Sequence, residues 1–238
     1  MNNRLASLGL YGLCTLLTAL AHADGVVIDR IYHPYVEAMT REIEWRVLYQ
    51  DNQIDQQNHQ QRHQLAYGQA LNDRWFGEVY LVGDKFPGEG FDLEAIELEL
   101  IHQLTEQGES WADWGILLEV EKGIGQHLWE AAGGILMEKE LGPISVTGNF
   151  KLGYEWGDDI EDEIETSMAV QLRHRWRRGF EPAVEFHGGE DTLAVGTVAM
   201  GEIVTGIRRQ VHWELGYFWG LDNASPDHSI RASIEYEY

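Results

Sequence analysis

Residues 144–156 read ISVTGNFKLGYEW. Ile144, Val146, Phe150, Leu152, Tyr154 and Trp156 alternate with Ser145, Thr147, Asn149, Lys151 and Glu155. Successive side chains of an extended strand point to opposite faces, so this stretch has one apolar and one polar surface. Working outward, the same period of two recurs on both sides. In REIEWRVLYQ (41–50) Ile43, Trp45, Val47 and Tyr49 oppose Glu42, Glu44 and Arg46. In WADWGILLEVE (111–121) Trp114, Ile116, Leu118 and Val120 oppose Asp113, Glu119 and Glu121. EIETSMAVQLRHRW (163–176) and VHWELGYFW (211–219) repeat the pattern.

This periodicity predicts twelve strands, at 41–50, 61–71, 74–84, 92–104, 111–121, 127–139, 143–156, 163–177, 180–188, 192–203, 209–219 and 228–238. Two are weakly specified. DLEAIELELIHQL (92–104) also suits a helix through Leu93, Ile96, Leu100 and Leu104, and 192–203 is rich in glycine. Connections alternate between brief ones such as NDR and ELGP and longer acidic ones such as DKFPGEGF and LDNASPDH. That is the asymmetry of an up-and-down outer-membrane barrel, whose turns are tight on one side and longer on the other.

A soluble barrel or sandwich would bury the apolar rows, whereas a membrane barrel turns them toward lipid. Nine tryptophans and ten tyrosines favour the second. They fall near the ends of the apolar rows, at Trp45, Tyr49, Trp75, Trp114, Trp129, Tyr154, Trp156, Trp176, Trp213, Trp219, Tyr236 and Tyr238, and such rings prefer the membrane–water boundary. Segments of ten to thirteen residues also exceed the usual soluble strand and suit a tilted crossing of a bilayer.

The N-terminus fits this setting. A basic MNNR start, the apolar run LASLGLYGLCTLLTAL and the small-residue site AHA predict a signal peptide over 1–23, cut after Ala23. Cys14, the one cysteine, would leave with it, so no disulfide or thiolate chemistry is expected. Residues 24–40 are expected to form a periplasmic lead-in or a small plug, and 41–238 the barrel.

The last stretch, HSIRASIEYEY (228–238), resembles the C-terminal assembly signal of Gram-negative outer-membrane proteins, with Tyr236 and Tyr238 as its aromatics. The whole mature chain is similar in pattern to the outer-membrane porin- and transporter-type barrels, a loosely defined group. The resemblance implies an outer-membrane location and assembly by the barrel-assembly machinery through the terminal strand. It carries no functional residue across.

The expected fold is therefore all-β: one antiparallel up-and-down transmembrane barrel of about twelve strands. Its polar rows would line a lumen through Glu78, Glu97, Glu99, Asp113, Glu119, Glu130, Lys151, Arg173, Arg175, Glu185 and Glu214. The 92–104 and 111–121 segments and their neighbours would form an almost purely acidic wall, with RHRWRR (173–178) as a basic stripe. Such acid rows lower the barrier to cations. The expected function is a channel or facilitator for small cationic or neutral solutes, and the alternative is a non-conducting structural or surface-interaction barrel. Paired Glu–Arg rows could instead plug the lumen.

A net charge of −23 speaks against a nucleic-acid partner; outer-membrane lipid and small solutes are the expected ones. No catalytic residue, metal or cofactor is expected. G-x-S-x-G, H-E-x-x-H and a phosphate-binding glycine loop are absent. Ser167 and His174 fall on opposite faces of one strand, and His59 and His63 read as part of a solvated, Gln-rich loop.

Overall fold

The structure is a computed structural model that describes residues 28–51, 59–125, 127–158, 160–190 and 192–238. The signal peptide, Ala23, Cys14, residues 24–27 and most of the first long connection lie outside the described residues. Twelve strands follow one another: β1 (Arg41–Asp51), β2 (Gln60–Ala70), β3 (Trp75–Lys85), β4 (Phe91–Gln103), β5 (Asp113–Gly123), β6 (Leu128–Leu141), β7 (Ile144–Gly157), β8 (Glu163–His174), β9 (Glu181–Gly188), β10 (Leu193–Gly206), β11 (Arg209–Gly220) and β12 (His228–Glu237). The two weakly specified segments are both strands. The helical spacing within β4 is overridden because both its edges pair, with β3 and with β5.

Each strand pairs antiparallel with its sequence neighbours, and β1 pairs with β12, closing the barrel. The seam runs from Glu42 opposite Glu237 to Asp51 opposite His228. The terminal stretch is therefore a fully paired strand, and closure leaves no exposed sheet edge. The backbone of Tyr238 extends the seam by exchanging hydrogen bonds with Arg41 at 2.8 and 3.1 Å.

Which face is dry is settled by exposure. Leu65, Val79, Leu98, Ile135, Phe150, Leu152, Val184, Leu215 and Ile234 are all exposed on the outside, at 47–54%. Charged side chains such as Glu78, Glu99, Glu185 and Arg231 are almost fully buried inside. A soluble protein does not expose a continuous apolar belt of this size. A barrel with lipid outside and a polar lumen does.

Both termini of the barrel lie at one end, here the near end, with the turns 71–74, 104–112, 142–143, 175–180 and 207–208. Two of these turns have only two residues; in 142–143 Gly142 takes φ +68° and Pro143 supplies the negative φ that follows it. The expected loop asymmetry holds only in part, because 104–112 is a long connection on the near side. It is tied back by Trp114 N–H donating to Thr105 Oγ1 and Gly108 N–H donating to Asp113 Oδ1. Trp45 also departs from the girdle expectation. It sits mid-strand, opposite Leu65 and Ile234, stacked on His63. His63 is thus a strand residue on β2 rather than part of a solvated loop, and His59, just ahead of that strand, stacks on Tyr49.

Candidate functional site

Among the described residues the lumen gathers most of the buried charge, and residues 28–40 run through it. Their partners come from strands all around the barrel, which only a segment inside it can reach. Arg30 donates to Glu44 on β1 at 2.9 Å and to Glu78 on β3, and lies 3.5 Å from Glu99 on β4. Tyr32 N–H donates to Asn149 Oδ1 on β7, and Asn149 Nδ2 donates back to the Tyr32 carbonyl, both at 2.8 Å. The Tyr32 hydroxyl donates to Glu99 at 2.6 Å. His33 Nδ1 lies 2.5 Å from Glu138 on β6, Tyr35 OH donates to Asp113 on β5 at 2.8 Å, and Val36 N–H donates to Gln103 on β4 at 2.8 Å. Arg46 holds the Asp29 carboxylate and Arg231 the Asp29 carbonyl. An extended segment has no ladder of its own, so these side chains satisfy backbone groups that burial would otherwise leave unpaired.

The segment is also held by apolar packing that the alternation of the sequence concealed. Phe76, Ile101 and Leu117 are direct cross-strand neighbours on β3, β4 and β5, and all three are buried on the inward face. With Leu136 they pack on Tyr32, Val36 and Ala70. On the opposite side Ile28 packs with Leu48, Ala183, Ala194, Val198 and Phe218. The wall of β3–β6 is therefore not purely acidic. Its apolar inward residues stand next to outward ones, as in Ile101 beside Leu100, Leu117 beside Leu118 and Leu136 beside Ile135. Those doublets are the signal an alternating reading passes over.

The expected lumen residues divide by company. Glu185 is fully buried on β9, accepting from Arg231 at 2.7 Å and from Gln171 at 2.8 Å, with His187 Nε2 at 3.0 Å. Glu214 accepts from Arg231 at 2.7 Å. Glu119 accepts from Lys151 at 3.1 Å, and Glu78, Glu99 and Asp113 hold the internal segment. Arg173 reaches Ser145 at 3.2 Å, with Glu138 and Glu181 each at 3.6 Å. Arg175, one residue past the end of β8, donates to Glu140 at 2.7 Å.

Glu97 and Glu130 differ. Register sets Glu97 opposite Glu121, Glu121 opposite Glu130 and Glu130 opposite Glu155 along β4–β7. Among the described residues Glu97, Glu121 and Glu130 make no hydrogen bond or ion pair. Like charges placed directly opposite destabilise a sheet, so this row is kept at a cost.

Between the internal segment and the wall of β8–β12 and β1 lies a cavity of about 540 Å³. Arg30, Glu42, Glu44, Glu202, His212 and Glu235 are among its lining residues. Two groups bring donor atoms within 4.8 Å of one another: Glu97, Glu99 and Glu119 in mid-lumen, and His212, Glu235 and Glu237 on the cavity wall.

No protein-family model matches the chain, and no curated protein matches it. Solved structures do. An outer-membrane channel from Pseudomonas putida F1 superposes with a TM-score of 0.62 at 12% identity, covering 88% of this chain and 98% of that one. The KdgM porin, solved in complex with disordered oligogalacturonate, gives 0.53 at 8% identity, covering 83% and 98%. The NanC porin gives 0.51 at 8%, covering 82% and 98%. At these identities the likeness establishes the fold: that of the outer-membrane porin-type barrels, twelve strands closed on themselves.

Proposed function

We propose that this barrel is an outer-membrane channel for small cationic or neutral solutes, narrowed at its near, periplasmic end by residues 28–40. The observation that carries the reading is the row Glu97–Glu121–Glu130. It consists of carboxylates in direct cross-strand register on a lumen wall, none of them in a hydrogen bond or ion pair among the described residues, with Lys151 and Arg62 acting on them only at longer range. A sheet tolerates such a row when mobile cations or a cationic solute screen it, and acid rings of this kind favour cation passage. The outer-membrane channels of like fold support the channel role.

Within this reading the N-terminal signal delivers the chain for export. The barrel-assembly machinery takes up β12 through Tyr236 and Tyr238, outer-membrane lipid covers the apolar belt, and the lumen residues named above line the path. The alternative, a non-conducting structural barrel, draws on one observation of its own: the internal segment is bound on all sides within the lumen. Planar-bilayer recording separates the two. Cation-preferring single-channel currents from folded protein are expected. Silence from the native protein, and from an Arg30→Ala, Tyr32→Phe variant with a loosened internal segment, would leave the structural reading.

A further inference from the structure

The cluster His212, Glu235 and Glu237 is a different object from the carboxylate row. Register places Glu202, His212, Glu235 and Glu44 side by side across β10, β11, β12 and β1, with Gln210, Glu237 and Glu42 in the next inward position. Two carboxylates of the first row have bases of their own: Arg178 holds Glu202 and Arg30 holds Glu44. Glu237 is oriented from three sides. Thr40 Oγ1 donates to one oxygen at 3.2 Å, Gln210 Nε2 donates to the other, and His212 Nε2 lies 3.1 Å from that second oxygen. Glu235 is different. Among the described residues it makes no hydrogen bond or ion pair, yet its carboxylate lies with the other two donors on the cavity wall.

We infer that His212, Glu235 and Glu237 form a binding site for one divalent transition-metal ion of the zinc class, opening onto the near-end cavity. One imidazole nitrogen and two carboxylate oxygens are a mixed donor set that suits zinc or its first-row neighbours. Calcium takes six to eight oxygens, and magnesium keeps most of its waters. The spacing also fits. Two ligands about 2.0 Å from a tetrahedral ion stand about 3.3 Å apart, and His212 Nε2 and Glu237 are already at 3.1 Å. Glu235 needs only a side-chain adjustment within the 4.8 Å that spans the group. Thr40 and Gln210 take the place of the outer partners that hold ligating carboxylates in metal sites. All three residues line the cavity, so water from it would complete the coordination of a bound ion. By contrast, the Glu97, Glu99 and Glu119 group offers oxygen alone, and Lys151, Tyr32 and Arg30 already occupy Glu119 and Glu99.

The site would join β11 to β12 beside the closing seam. Its test therefore has a readout besides transport, and does not depend on whether the barrel conducts. Tag-free protein folded in detergent is titrated calorimetrically with Zn²⁺, and separately with Ca²⁺ and Mg²⁺. The expected result is one Zn²⁺ per chain. Glu235→Gln and His212→Ala should each weaken it at least about tenfold, Glu97→Gln should leave it unchanged, and Ca²⁺ and Mg²⁺ should bind at least about tenfold more weakly. Zn²⁺ should also raise the temperature at which the folded gel band is lost, in the native protein but not in Glu235→Gln. Absence of saturable Zn²⁺ binding, equal affinity in both site variants, or equal affinity for Ca²⁺ would overturn the assignment. Glu235→Gln is close to isosteric, so a heat-modifiable band in that variant separates loss of the site from loss of the fold.

Discussion

Two regions of one lumen handle the same kind of residue in opposite ways. In the near half and at mid-height nearly every buried charge has a partner: Arg30 with Glu44 and Glu78, Arg46 with Asp29, and Arg231 with Glu185 and Glu214. Along β4–β6 the carboxylates of Glu97, Glu121 and Glu130 face one another instead. The difference separates what charge does in each place. Paired and buried, it fixes the internal segment and the register of the barrel. On the wall it makes no direct ion pair, and in the proposed channel this is the charge that meets a passing solute.

Substitution should expose that difference most strongly at the paired end. Arg231→Ala leaves Glu185 buried without its cation, and losing one partner of a buried pair costs about 3–5 kcal/mol. Denaturant titration of detergent-folded protein, followed by tryptophan fluorescence, reads this as a large fall in the midpoint. Next comes packing of the wall against the lumen. A Cβ on Gly196 would overlap the ring of Phe218. Gly196→Ala should displace that ring from Ile28 and cost about 1–3 kcal/mol by overpacking, measured in the same titration. Glu97→Gln sits at the other extreme. Removing a charge from the unpaired row should leave stability unchanged or raise it by up to about 1 kcal/mol. A loss as large as that of Arg231→Ala would mean the row is structural after all. Deleting Tyr238 should slow assembly in cells, seen as accumulation of unfolded chain, while protein already folded in detergent melts almost as the native form. Equal loss of both would place Tyr238 in the fold rather than in assembly.

The outer surface was the legible part. Ile43, Leu98, Phe150 and Ile234 alternate with polar neighbours because lipid and lumen impose opposite requirements on consecutive residues, and that rule needs no knowledge of partners. An up-and-down barrel also requires its last strand to meet its first, as β12 meets β1. The interior was harder for a physical reason. Its apolar patch of Phe76, Ile101, Leu117 and Leu136 exists to receive Tyr32 and Val36, and a contact between residue 32 and residue 136 leaves no local period. Residues 28–40 likewise carry no alternation, because their form is dictated by the wall around them. Charge identity was readable at each lumen position, but charge pairing was not. Glu185 and Glu97 look alike in sequence, and only the closed barrel brings Arg231 to one and leaves the other facing Glu121.

Whether the carboxylate row acts on solutes is read from the reversal potential across a salt gradient in planar bilayers, comparing the native barrel with a Glu97→Gln, Glu121→Gln, Glu130→Gln variant. The expected result is a cation-selective potential that moves toward zero in the variant, with the folded gel band unchanged. A native potential that is anion-selective, or a cation-selective one that the three substitutions leave in place, would contradict it.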